Sequence, residues 1–108
     1  MKTQYNLVLI FKAFADETRL KIIEMLSCGE MCACDILEYF QITQPTLSYH
    51  MKILTDCGIV ASRKEGAWVI YNNNTDLMKE VKELWNKISE PSDNCICKEY
   101  KEVRKCVS

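Results

Sequence analysis

The residues of this sequence with the most chemistry in them are its seven cysteines, and they are grouped rather than scattered. Cys28, Cys32 and Cys34 form one set, Cys57 stands alone, and Cys95, Cys97 and Cys106 form a second set near the C-terminus. The count is odd, and the short apolar stretch near the N-terminus contains Lys12 and no small-residue cleavage site. The expectation is therefore a cytoplasmic chain whose thiols bind metals or change redox state, not a secreted disulfide framework. Thiolates are soft ligands suited to arsenite, antimonite, Cd(II), Pb(II) and Zn(II), and grouping is what chelation requires. Two pairs have Cys-x-Cys spacing: Cys32-Ala33-Cys34, within EMCACDIL, and Cys95-Ile96-Cys97. EMCACDIL reads as the start of a helix, whose positive end favours the deprotonated thiol that a metal consumes. In a regular helix, residues two apart point roughly 200° around the axis. Cys32 and Cys34 would then share one ion only if that first turn unwinds. Cys57 and Cys28 read most simply as small apolar fillers, although Cys28 is close enough in sequence to add a ligand.

Apolar periodicity supplies the elements that must position these groups. Leu7, Ile10, Phe11 and Phe14 make one helical face, and a second run opening at Asp16 carries Leu20, Ile23 and Leu26 before Gly29 ends it. A short third helix over 33–40 would bury Ile36, Leu37 and Phe40. A fourth, over 44–56, is capped by Thr43 and takes Pro45 in its first turn, where a missing N–H costs nothing. Its apolar stripe is Leu47, Met51 and Leu54, and its opposite face offers Gln44, Thr46, Ser48, Tyr49 and Lys52 as hydrogen-bonding groups. From Gly58 two β-rich runs flank Lys64-Glu65-Gly66, the sole strand signal, with Gly66 expected at positive φ. A last helix from about Thr75 carries Leu77, Val81, Leu84, Trp85 and Ile88 and is stopped by Pro91.

The order α-α-α-α-β-β-α predicts a mainly α fold with a β-hairpin, a winged helix-turn-helix over residues 1–90, followed by a polar Cys-rich tail over 91–108. In that architecture the second of the paired helices enters the major groove and the wing touches the backbone, here through Arg63 and Lys64 at its expected tip. The formal net charge of −1 gives no global attraction to DNA, so a local surface must supply it. No run of about 18 apolar residues suggests a membrane span. One histidine, no acid–base constellation and no glycine-rich phosphate loop argue against an enzyme. A chain of 108 residues has little core to spare, which makes association into a dimer a natural way to bury more.

The motifs FKAFADETRLKIIEML, EMCACDIL, QPTLSYHMKIL, GIV and SRKEGAWVIY, in this order from about Asn6 to Ile88, resemble the ArsR/SmtB family of metal- and metalloid-sensing winged-helix repressors. The resemblance implies a homodimer formed by the first and last helices, binding to an imperfect inverted-repeat operator, and release when the inducer binds. It carries the recognition helix onto Gln44, Thr46, Ser48, Tyr49, His50 and Lys52. EMCACDIL looks like the Cys-x-Cys box of the arsenic- and cadmium/lead-responsive branches, placed on the helix that braces the reader. Arsenic sensors with this box often have a third cysteine where this chain has Leu37. Cadmium/lead sensors draw thiols from an N-terminal arm, and residues 1–27 contain none. A zinc site on the last helix would need histidines that 75–88 lacks. The inducer implied is As(III) or Sb(III), held by Cys32 and Cys34 with a thiol from Cys95, Cys97 or Cys106. The alternatives are Cd(II) or Pb(II) on the same fold or, in a different class, a thiol redox switch or dithiol oxidoreductase.

Overall fold

The computed structural model describes residues 4–90, and three of its helices begin where a side chain satisfies one of their first free N–H groups. Helix α1 (Gln4–Phe14) is followed by α2 (Glu17–Leu26), α3 (Ala33–Tyr39), α4 (Gln44–Asp56) and α5 (Thr75–Ser89). Asp16 caps α2 by accepting from the Arg19 N–H at 3.0 Å, and Thr43 caps α4 by accepting from Thr46 at 3.3 Å. Asn74 caps α5 through Leu77 at 3.1 Å, and its amide nitrogen donates to the Gly58 carbonyl, tying the start of α5 to the entrance of the wing. The expected boundaries of the third, fourth and fifth helices agree with these to within a residue. Pro91 lies outside the described residues.

The helices enclose a core of Leu7, Ile10, Ala13, Ile22, Leu26, Ile36, Leu47, Met51 and Leu54, continued by Ile59 and Val60 of the wing entrance and by Leu77 and Val81 of α5. Three of the expected faces agree closely. Leu7 and Ile10 are buried with Phe11 and Phe14 packed beside them, Ile36 is fully buried with Leu37 and Phe40 as its margin, and Leu47, Met51 and Leu54 form the inner stripe of α4. In α2 the face is rotated in part: Leu26 is buried and Ile23 packs against the core as expected, but Ile22 is fully buried and Leu20 is half-exposed. The apolar residues of α2 span more than one face, so periodicity alone does not choose between them, and packing against α1 and α4 does.

Strands β1 (Met31–Cys32), β2 (Val60–Glu65) and β3 (Trp68–Asn73) form an antiparallel sheet in the order β1-β3-β2. The β2–β3 hairpin is the expected wing, closed by Gly66 and Ala67 with Glu65 opposite Trp68. Gly66 has φ +63° and Ala67 does not share the positive-φ conformation. That is the arrangement of a two-residue II′ turn, which matches the right-handed twist of the strands. Strand β1 is a correction to the reading of the hairpin as the sole strand structure. Met31 pairs with Tyr71 and Cys32 with Ile70, so the thiol segment enters the sheet before it enters the helix. Two residues are too few to show a period of two in sequence.

Not every apolar residue is covered. Val8 and Leu9 of α1, and Trp85 and Ile88 of α5, stand substantially exposed. Among the described residues no helix is long and apolar enough to cross a membrane.

Candidate nucleic-acid interface and thiol site

Helix α4 separates its two faces cleanly. With Leu47, Met51 and Leu54 committed to the core, Gln44, Thr46, Ser48, Tyr49 and Lys52 stand exposed on the outer side. Its first turn contains no acidic residue, so nothing there opposes the positive end of the helix. Lys52 lies 3.2 Å from Asp56 in an exposed i,i+4 pair, an arrangement of little intrinsic worth that leaves the ammonium easily redirected.

His50, expected on that outer face, is placed elsewhere. It is 9% exposed and points inward. Its Nδ1 lies 3.1 Å from Arg19 Nη1, while Arg19 Nε donates to the Ala13 carbonyl and Asp16 sits 3.9 Å from the imidazole. Arg19 can only donate, so Nδ1 is the acceptor and the ring proton belongs on Nε2. The cluster ties the end of α1 and the start of α2 to the inner side of the reading helix. Its signal was present in the sequence: position 50 falls with 47, 51 and 54 on one i, i+3, i+4, i+7 stripe. Asp16 and Arg19 had no such signal. The N–H of Arg19 bonded to Asp16 holds that carboxyl below the usual aspartate range, against the opposing effect of partial burial and with the Arg19 charge adding to it.

In the wing, Arg63 and Lys64 lie within β2 and not at the tip, which is Gly66-Ala67. Arg63 makes a two-pronged contact with Glu30, Nη1 and Nη2 reaching the two carboxylate oxygens at 2.7 and 2.8 Å, while Nε reaches Glu65 at 2.7 Å. Fork-to-fork geometry of this kind is the strong form of the guanidinium–carboxylate pair. It holds the Glu30 carboxyl below its ordinary range and the guanidinium still further above its own. Lys64 is exposed and has no ion-pair partner among the described residues. Glu30 had no sequence signal, because its partner is 33 residues away.

Cys32 is both the last residue of β1 and the N-cap of α3, with extended backbone (φ −81°, ψ 157°) and no side-chain cap bond. The expectation that a helical turn must unwind between Cys32 and Cys34 is therefore corrected: Cys32 is not helical, and the pair spans a strand-to-helix junction. Cys32 is half-buried and lines an open hollow of about 410 Å³ with Glu30, Met31, Asp35, Trp68 and Ile70. Cys34 is exposed on the first turn of α3. Cys28 is also exposed, and Cys57 is half-buried with its Sγ 3.4 Å from the Leu54 carbonyl, where it fills space at the end of α4. Among the described residues no set of three or more His, Cys, Asp or Glu side chains converges on a metal-sized site. Cys95, Cys97 and Cys106 lie outside the described residues.

A capped helix with a polar outer face, a shorter helix before it and a twisted hairpin after it define the class of winged helix-turn-helix DNA-binding regulators. Residues 16–62 match the family model described as bacterial regulatory protein, arsR family. The chain is 45% identical over 92 residues to an arsenical resistance operon repressor of Staphylococcus aureus, covering 85% of this chain and 88% of that protein. It is 39% identical to a cadmium resistance transcriptional regulatory protein CadC homolog of the same species, over 68% of this chain and 62% of that one. An ArsR-like transcriptional regulator from Rhodococcus sp. RHA1 superimposes with a TM-score of 0.70 at 23% identity, covering 80% of this chain and 81% of that one, a likeness of fold. The chain belongs to the ArsR family, and it is a DNA-binding repressor of transcription.

Proposed function

We propose that the protein represses arsenic-responsive genes as a homodimer on an inverted-repeat operator and releases the DNA when As(III) or Sb(III) binds its thiolates. The observation that carries this reading is the position of Cys32: a thiol at the junction of the wing sheet and the helix preceding the reading helix. Ligation there acts on both DNA-contacting elements at once. Gln44, Thr46, Ser48, Tyr49 and Lys52 face the major groove, and Arg63 and Lys64 face phosphates. His50 is left out of this set because it is buried against Arg19.

Cys32 and Cys34 supply two ligands, and the third comes from Cys95, Cys97 or Cys106. The stoichiometry of arsenite capture is As(OH)3 + 3 RSH → As(SR)3 + 3 H2O. Three As–O and three S–H bonds break, three As–S bonds form, each thiol proton leaves in water, and no electrons move. A divalent cation instead expels one proton from each thiol it binds. The cadmium/lead reading, supported by the likeness to the cadmium regulator, therefore differs in its pH dependence: Cd(II) becomes more potent as pH rises from 6 to 8, and arsenite stays nearly level.

The test is release of duplex DNA, selected by the wild-type protein from a random-sequence pool, on titration of the reduced protein with arsenite, antimonite, Cd(II), Pb(II), Zn(II) or peroxide. Arsenite and antimonite are expected to release DNA from the wild type and to fail with C32S/C34S. Arsenite release that survives in C32S/C34S overturns the site. A C95S/C97S double variant that retains full arsenite release leaves Cys106 or Cys28 as the third ligand. Release by peroxide alone establishes the redox switch in its place.

A further inference from the structure

Glu30 stands immediately before β1 and two residues before Cys32. Across the sheet, Cys32 pairs with Ile70 from one side and Arg63 pairs with the same Ile70 from the other. The Glu30–Arg63 contact spans these three strands and joins the thiol segment to the wing. It uses the donors that a DNA phosphate would need. A phosphate approaching the guanidinium requires the same planar N–H fork, and with Glu30 and Glu65 in place it meets two carboxylates at contact distance from the cation it seeks. Arg63 cannot present its Nη1/Nη2 edge to both. Both side chains of the pair are about half-exposed, at 43% and 51%, so exchange of one anion for the other requires no unpacking of the core.

We propose that Glu30 sets the affinity of this repressor for DNA by competing with a backbone phosphate for Arg63, the pair being closed in the free protein and opened in the DNA complex. This rests on the phosphate-contacting role assigned above to Arg63. Glu30 is a positioning residue that touches no DNA itself. Because it directly precedes β1, which ends at Cys32, the competition is governed by the same short segment that carries the thiols.

The test is DNA affinity of the reduced, inducer-free protein over a salt series, by fluorescence anisotropy, for wild type, E30Q, R63Q and E30Q/R63Q. A random-sequence duplex suffices, since phosphate contacts carry no sequence information. R63Q is expected to make the slope of log K against log salt shallower by about 0.9, the loss of one phosphate contact. E30Q is expected to tighten binding by about 1.5- to 5-fold, the range of an exposed ion pair that no longer has to be broken. That gain vanishes in the R63Q background. A gain that persists in E30Q/R63Q is a bulk charge effect and overturns the proposal, as does an E30Q affinity equal to wild type. An unchanged salt slope in R63Q removes Arg63 from the DNA interface and overturns both readings of that residue. Failure of arsenite to release DNA overturns the sensor reading only, because no inducer enters this measurement. Matching circular dichroism melts of the four proteins establish that folding is not the variable.

Discussion

His50 joins α4 to the rest of the fold from inside. With Nδ1 accepting from Arg19 and the ring buried beneath α4, its contribution is to hold the reading helix at a fixed angle to the α1–α2 corner. The two amide replacements separate bracing from base contact, since Asn places an acceptor near the Nδ1 position and Gln near the Nε2 position. His50→Asn is expected to retain most of the DNA affinity and His50→Gln to lose it, with a stability cost for Gln of about 2 kcal/mol from the abandoned charged hydrogen bond. Anisotropy and thermal melts of both variants check this; a Gln variant that binds DNA as tightly as wild type contradicts the brace. The thiols at 32 and 34 belong to the same scale but differ in kind. Their spacing is legible in the sequence, while their backbone setting, one extended and one helical, follows from the pairing of Met31 and Cys32 with β3.

Among the elements, α2 depends on its cap more than its length suggests. It is 10 residues long, its first turn is acidic, and its N-terminus is closed by Asp16, which also lies beside the Arg19–His50 contact. Asp16→Ala is expected to destabilise the fold by about 1 kcal/mol for the lost cap. The sign of its pH dependence follows from the direction of the shift: the folded carboxyl titrates below its unfolded value. The contribution of Asp16 is therefore complete above about pH 5, where the unfolded aspartate is also ionised, and is lost as pH falls through the folded pKa. Urea unfolding of wild type and Asp16→Ala at pH 7 and near pH 2.5 tests this, with the difference between them expected to shrink at the acid end. Strand β1 matters at this scale for another reason. It turns a two-stranded wing into a three-stranded sheet whose third member is the thiol segment, so the wing and that segment share hydrogen bonds.

At the scale of the whole molecule, the surface left by α1 and α5 exposes apolar side chains in a lone copy. Trp85 is 58% exposed and Ile88 63% exposed, although both extend the apolar side of α5 begun by Leu77 and Val81. Burying one such side chain is worth about 1.5–3 kcal/mol. A second copy of the chain is the occupant proposed above, and an operator of two half-sites requires it. Trp85→Glu/Ile88→Glu is expected to weaken self-association by at least about 100-fold, the loss of two such burials, and with it DNA binding. Sedimentation equilibrium checks the first outcome; a double variant that remains dimeric places the interface elsewhere.

Helix placement, caps and wing were legible in the sequence because each is a local property. Thr43 before Gln44-Pro45, the apolar periods of the first, third and fourth helices, and Gly66 in a short turn all act within a few residues of themselves. The family motifs and the Cys-x-Cys spacing are likewise linear features. The facts that distinguish the site are contacts between distant segments, and the sequence carries no local mark of them: Glu30 with Arg63, His50 with Arg19, and Cys32 with Ile70. Side chains 31 and 33 residues apart meet only because the core stacks α2 against α4 and draws the thiol segment onto the edge of the wing. The sequence by itself determined a winged helix with thiols near its fourth helix. Tertiary structure decided that the thiol segment is a strand of the wing sheet, that the histidine faces inward, and that Arg63 is held by a carboxylate, because burial and strand pairing are properties of the folded chain as a whole.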